Sequence, residues 1–199
     1  AVMECGVTFF SLREELEKQD GIGFPAHQGD EGLQMGGMAV MNAGGARAVR
    51  NRVTRKHILG LEVVLPTGEI LNLGGKVIKD NAGYNLMNLI IGSEGTLAVV
   101  TKVILKLYPE EKYTGTIIVS FDHFDRASKT VIDLLKSGIV PLAVEYQDKH
   151  LFTETAKMLG QKWQLKKGSA DLMIILSEKT EVAFYDACRA IEKLCDENG

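Results

Sequence analysis

Glycine pairs enclose an asparagine in Gly36-Gly37-Met38-Ala39-Val40-Met41-Asn42-Ala43-Gly44-Gly45, and a second glycine-bearing turn, Gly92-Ser93-Glu94-Gly95-Thr96-Leu97, follows further along the chain. Without a Cβ, main chain can approach a ligand closely and adopt φ > 0, so such segments suit a phosphate-bearing group gripped through backbone N–H donors. On glycine content alone, two tight turns with no ligand explain the same residues equally well.

Other chemistries find less support. His27, His57, His123 and His150 are scattered with no metal-binding spacing, and Cys5, Cys188 and Cys195 form no C-x-x-C pair, so neither a metal site nor a disulfide framework is read. Cys188 and Cys195 fall on one face of a helical pattern and read as core packing. Gly21-Ile22-Gly23-Phe24-Pro25-Ala26 matches a dinucleotide fingerprint in letters only: it follows an amphipathic helix instead of a strand, and Pro25 sits where that motif's helix should run. Gly74-Gly75-Lys76 lacks the rest of a P-loop, and no G-x-S-x-G elbow occurs.

The 199 residues are 45% hydrophobic and 25% charged, enough for one large domain or two small ones. A net charge of −3 argues against a nucleic-acid surface. The one basic cluster, Arg47, Arg50, Arg52, Arg55 and Lys56, has no interleaved aromatics and reads as a solvated, partner-facing or cofactor-adjacent loop. No apolar run is long enough to span a bilayer and no signal peptide is visible, so the expected location is cytoplasmic, with reduced thiols.

The elements that must position the glycine turns follow from periodicity. Thr8 caps a helix carrying Phe9, Leu12 and Leu16 on one face, with Gly21 as a stop. Ile58 to Leu65 and Ile70 to Leu73 read as a hairpin about Pro66-Thr67-Gly68-Glu69. Asn85 caps a short helix from Leu86 to Ile91, and Leu97 to Leu107 reads as a long strand stopped at Pro109. Tyr108-Pro109-Glu110-Glu111-Lys112 reads as a boundary dividing residues 1–112 from 113–199. Beyond it, strands at 116–121, 142–146 and 172–176 alternate with helices at 125–136, 149–159 and 182–195. That order predicts an α+β layer of ferredoxin-like character.

Taken in order, Gly6-Val7-Thr8, the Gly36 to Gly45 segment, Leu59-Gly60-Leu61-Glu62-Val63-Val64-Leu65-Pro66-Thr67-Gly68-Glu69, Lys79-Asp80-Asn81-Ala82-Gly83-Tyr84-Asn85-Leu86 and Gly92-Ser93-Glu94-Gly95-Thr96-Leu97 resemble the FAD-linked oxidases of the vanillyl-alcohol-oxidase type. Within these, the resemblance runs to the group of the glycolate oxidase FAD subunit and D-lactate dehydrogenase. More loosely, Pro141-Leu142-Ala143-Val144-Glu145-Tyr146 resembles the start of that family's cap domain.

The resemblance implies an α+β fold: the second part of a PCMH-type FAD-binding domain over residues 1–112, with a mixed or antiparallel sheet flanked by helices, then a ferredoxin-like portion of the substrate or cap domain over 113–199. It implies FAD held by Gly36, Gly37, Asn42, Ala43, Gly44 and Gly45, flanked by Glu94, Gly95 and Val99, with Pro25 leading into the site. Lys79, Asn81 and Tyr84 fit the family motif, with a role in the turn or at the ligand. The implied activity is oxidation of a small 2-hydroxy acid of the glycolate or D-lactate type by hydride transfer to flavin. A partner electron-transfer subunit or a homo-oligomer is compatible with it. Sugar oxidases, aromatic-alcohol oxidases and cell-wall precursor reductases share the architecture, and a non-catalytic binding module remains the alternative of a different class.

Departures from the pattern bear on the site. Pro25-Ala26-His27-Gln28-Gly29-Asp30 replaces a serine-bearing stretch, Arg50-Asn51-Arg52 replaces Tyr-Gly, and Ala98 stands at a frequent glycine. The family's first FAD subdomain is expected before residue 1 and its histidine-bearing catalytic region after residue 199, so the chain reads as the middle of a longer enzyme that alone holds FAD weakly or not at all. No catalytic base is named; His27, His57 and Arg55 are the candidates near the flavin segment.

Overall fold

The computed structural model describes residues 1–25, 29–160 and 168–198, so His27 lies outside the described residues. Two compact units result, Ala1–Glu110 and Glu111–Gly199, which puts the division two residues before the expected one. The shift has a local cause: Tyr108 and Pro109 pair with Gly23 and Ile22, so they close the first unit and do not form a linker.

In the first unit β1 (Val2–Glu4) leads to α1 (Phe9–Glu17), whose start is fixed by Thr8: its hydroxyl oxygen accepts the Ser11 N–H at 3.1 Å. Phe9, Leu12 and Leu16 recur at helical spacing and are buried, as the periodicity requires. After β2 (Ile22–Gly23) come two short helices, α2 (Met35–Val40) and α3 (Ala48–Asn51), and a single 3₁₀ turn over Thr54–Lys56. Gly36 and Gly37 therefore lie inside a helix, where sequence reading placed a turn.

The hairpin is present as β3 (Ile58–Val64) and β4 (Ile70–Gly74). Asn85 caps α4 (Leu86–Ile90) by accepting the Asn88 N–H, and β5 (Val99–Leu105) and β6 (Tyr108–Pro109) complete the unit. One sheet runs β1-β5-β3-β4 with every pairing antiparallel. Leu61, Val63, Val100 and Val103 turn from this sheet onto Phe9, Met35 and Met38 to form the core.

The second unit contains β7 (Tyr113–Phe121), α5 (Phe124–Lys136), β8 (Ala143–Asp148), α6 (Lys149–Met158), β9 (Ala170–Glu178) and α7 (Glu181–Asn198). Its strand order β7-β9-β8, antiparallel throughout, is the 1-3-2 part of a ferredoxin-like sheet, with α6 inserted between the second and third strands. Ala170, Leu172, Ile174 and Leu176 alternate onto the helix-covered face with Ile191 and Cys195. Burial pushes the Cys195 thiol up to about 11, which fits a packing role and removes it as a nucleophile. On the other face Asp171 is 1% exposed, and neither of its carboxylate oxygens has a hydrogen-bond partner among the described residues.

His57 is 4% exposed and joins three segments. Its Nε2 lies 2.6 Å from the Asn51 carbonyl oxygen and its Nδ1 3.1 Å from the Tyr108 hydroxyl, while the Phe24 ring meets it edge-on. The neutral ring fits these partners, with Nε2–H donating to Asn51 and Nδ1 accepting from Tyr108. Burial lowers its pKa, opposed by the Asn51 bond and aided by the Lys106 charge. Next to it, Arg52 holds φ 63° and ψ −165°, a region that almost only glycine occupies.

Two predictions follow from these residues. Because the folded pKa of His57 is depressed, the unfolded chain binds the proton first; stability is full above pH ~6.5 and falls as pH drops below it. Urea midpoints at pH 7.5 and pH 5.5 should therefore differ more in the wild type than in His57→Gln, and equal differences would contradict the assignment. Arg52→Gly should stabilise the chain by about 1 kcal/mol, since relief of about 1–3 kcal/mol of strain exceeds the entropy cost of glycine. A lower urea midpoint for this variant would count against it.

Candidate functional site

The two glycine-bearing segments meet. Helix α2 is pinned to the end of β1 by the Met35 N–H on the Val7 carbonyl at 2.9 Å and the Gly36 N–H on the Cys5 carbonyl at 2.8 Å. A Cβ on Gly36 would stand 2.7 Å from Cys5 Cβ, so Gly36 is a packing requirement of that contact. Gly37 differs: no atom lies within 4 Å of where its Cβ would be.

After α2 the chain turns through Asn42, which holds φ 48°. Its side-chain oxygen accepts the Arg55 N–H at 3.0 Å. The Ala43 carbonyl accepts both the Thr54 N–H at 3.0 Å and the Thr54 hydroxyl at 2.7 Å. Gly44 lies tight against Val53, whose Cγ1 would be 3.1 Å from an added Cβ. The Thr54 side chain, 2% exposed, thus secures this turn from beneath.

The second segment is laid directly on the first. Glu94 N–H bonds the Val40 carbonyl at 2.9 Å and Gly92 N–H the Ala39 carbonyl at 3.3 Å. Glu94 (φ 56°) and Gly95 (φ 76°) are both left-handed and exposed, and a Cβ on Gly95 would meet nothing within 4 Å. The Thr96 amide and hydroxyl close the turn on the Ser93 carbonyl, at 3.1 and 2.6 Å. Two left-handed residues in succession, laid on the last residues of α2, leave main chain exposed at Gly95 with no atom near its Cβ position, a surface that an anionic group can approach.

The other expected residues are placed as follows. Val99 opens β5 and is 64% exposed, on the sheet face opposite the core. Pro25 is tied elsewhere: its carbonyl accepts the Asn51 side-chain amide at 2.8 Å, so the described contacts join it to α3 and not to the two turns. Lys79, Asn81 and Tyr84 lie in an exposed stretch, Tyr84 at 95%. Sequence reading missed that this stretch also exposes Ile78, and that Leu89 and Leu97 nearby in the chain are exposed. An apolar surface of this kind has a signal only as hydrophobic letters off the core period.

The basic cluster separates on folding. Arg55 turns inward to the Ile91 carbonyl, while Arg52 is exposed. Arg47 lines an open cleft of about 410 Å³ with Phe9, Leu16 and Phe24, where burial and the charge of Arg13 lower its pKa. His57 has both ring nitrogens engaged and is no free base. Among the described residues no group of three or more His, Cys, Asp or Glu side chains is placed to hold a metal ion, and no helix is long and apolar enough to cross a membrane.

Comparison with known proteins identifies the family. Residues 1–74 match the FAD binding domain model, and residues 110–199 match the model of the C-terminal domain of FAD linked oxidases. The chain is 35% identical over 181 residues to a D-lactate dehydrogenase of Archaeoglobus fulgidus, which covers 91% of this chain and 40% of that protein. It is 37% identical over 150 residues to glycolate oxidase subunit GlcD of Bacillus subtilis, covering 75% of this chain and 32% of that protein. Among solved structures, alkyldihydroxyacetonephosphate synthase superposes over 100% of this chain and 38% of its own, with a TM-score of 0.79 at 19% identity, a likeness of fold. The chain thus spans between 32% and 40% of the length of these two curated relatives. With the two family models meeting its two units, the chain belongs to the FAD-linked oxidases, of which it carries part of the FAD-binding domain and part of the C-terminal domain.

Proposed function

We propose that this chain forms one wall of an FAD site in an enzyme that oxidises a 2-hydroxy acid of the D-lactate or glycolate class. The observation that carries the reading is the joined pair of turns, with Gly37 and Gly95 open toward the outside while Gly36 and Gly44 are filled by the protein itself. The residues fit a phosphate-bearing cofactor: small side chains, left-handed main chain at Asn42, Glu94 and Gly95, and the Arg55 guanidinium behind them. Gly37, Asn42, Ala43, Gly45, Glu94 and Gly95 would hold it: the Asn42, Ala43 and Glu94 amides are spent on the Ala39, Met38 and Val40 carbonyls and shape the surface, while the Gly37, Gly45 and Gly95 amides are the donors, each contributing about 1.5–3 kcal/mol to a charged partner. Val99 and Leu97 would offer apolar contact at the rim.

Bound FAD supplies the acceptor for a hydride from the carbon bearing the substrate hydroxyl. What these residues contribute is grip and orientation. The substrate class rests on the names of the two relatives, a D-lactate dehydrogenase and a glycolate oxidase subunit. The base that takes the hydroxyl proton is assigned to none of the described residues, since His57 is buried and doubly bonded. Cytoplasmic placement fits the three free cysteines.

The glycines separate a binding role from a packing role. In the full-length protein Gly37→Val should weaken FAD binding by tenfold or more, ~1.4 kcal/mol, with the thermal midpoint of the FAD-free protein nearly unchanged. Gly44→Val should lower that midpoint even without FAD, because its branch meets Val53. Wild-type FAD affinity in Gly37→Val would remove the site. For the substrate class, anaerobic mixing with D-lactate or glycolate should bleach the visible flavin band, and bleaching by an aromatic alcohol alone would reassign it.

A further inference from the structure

We infer that Arg55 is a positioning residue for the flavin: it locks the Asn42 turn to the Gly92 turn and sets an uncompensated positive charge behind both. The inference rests on the FAD reading above.

Arg55 is bonded to each turn by a different part of itself. Its main-chain N–H donates to the Asn42 side-chain oxygen at 3.0 Å, holding the left-handed turn that ends α2. Its guanidinium Nη2 donates to the Ile91 carbonyl, just before Gly92. Gly92 is shaped around it: the residue holds φ 87°, and an added Cβ would lie 3.1 Å from Arg55 Nη2 and 3.5 Å from Asn42 Cβ. A side chain on Gly92 would therefore press on both Arg55 and Asn42.

The charge is the second part of the argument. Among the described residues no carboxylate pairs with Arg55, and its Nε is buried with no hydrogen-bond partner. Ser93 Oγ, one residue past Gly92, is buried and unpartnered as well. The Ile91 carbonyl needs only a neutral donor, so a half-buried guanidinium whose Nε has no partner brings a charge that the clamp itself does not require. A charge kept without a counterion inside the protein acts outward, and an anion on the open side of the turns is what it would attract. The FAD pyrophosphate is such an anion. The buried Nε acts on that anion through the turns.

Three variants of the full-length protein separate charge from clamp. Arg55→Lys keeps the charge, Arg55→Gln keeps a donor for the Ile91 carbonyl without the charge, and Arg55→Met removes both. FAD dissociation constants would be measured at low and high salt, with the thermal midpoint of the FAD-free protein as the fold control. The expected result is a loss of about threefold in Arg55→Lys and tenfold or more in Arg55→Gln and Arg55→Met, with the salt dependence of binding reduced in the two neutral variants only. If Arg55→Met does not fold, Arg55→Gln alone decides. FAD affinity and salt dependence in Arg55→Gln equal to those in Arg55→Lys would overturn the inference. A wild-type protein that takes up no FAD would instead overturn the reading on which it rests.

Discussion

The hydrogen bonds from Glu94 to Val40 and from Gly92 to Ala39 join two segments far apart in the chain, and the site depends on that junction. Each turn alone is a common device; laid together they offer main chain from both sides of one surface. The rest of the first unit serves this placement. Helix α2 is fixed to β1 by Met35 and Gly36, β3 and β5 run beneath it, and α4 delivers Ile91 to the Arg55 guanidinium. Leaving Gly37 and Gly95 open costs no packing, because the core is closed by Met35, Met38 and Ile91 on the inner side. Fold and grip are thus separable at the level of single glycines.

Much of this was legible beforehand where a residue has one physical reason to be where it is. Thr8 and Asn85 cap helices because their side-chain oxygens reach the free amides of a first turn. The 58–74 hairpin follows from alternating apolar residues about Pro66 and Gly68, and the six elements of the second unit from switches between helical and strand periods. Helix α2 was not legible. Its Met-Gly-Gly-Met-Ala-Val sequence has the composition of a turn, and its helical state comes from docking on Cys5 and Val7, a contact made outside its own window. Pairing of Tyr108-Pro109 with Ile22-Gly23 was hidden for the same reason.

The site was legible as a set of residues and not as a division of labour. Counting glycines treats Gly36, Gly37, Gly44 and Gly45 alike, whereas Gly36 and Gly44 answer to Cys5 and Val53 and Gly37 answers to nothing in the protein. Arg55 was one letter in a basic cluster; only its inward turn sets it apart from Arg52. In the second unit, the strand at Leu172 to Leu176 was readable, while the burial of Asp171 just before it was not, because strand parity alone places that carboxylate on the less covered face.

The central claim is that the joined turns face the cofactor, and amide hydrogen exchange of the full-length protein with and without FAD tests it most directly. Exchange at Gly37, Gly44, Gly45, Gly95 and Leu97 should slow when FAD is added, while the β7-β9-β8 sheet, already protected by its own hydrogen bonds, should change little. FAD-dependent protection confined to other segments, with these amides exchanging at the same rate in both states, would contradict it.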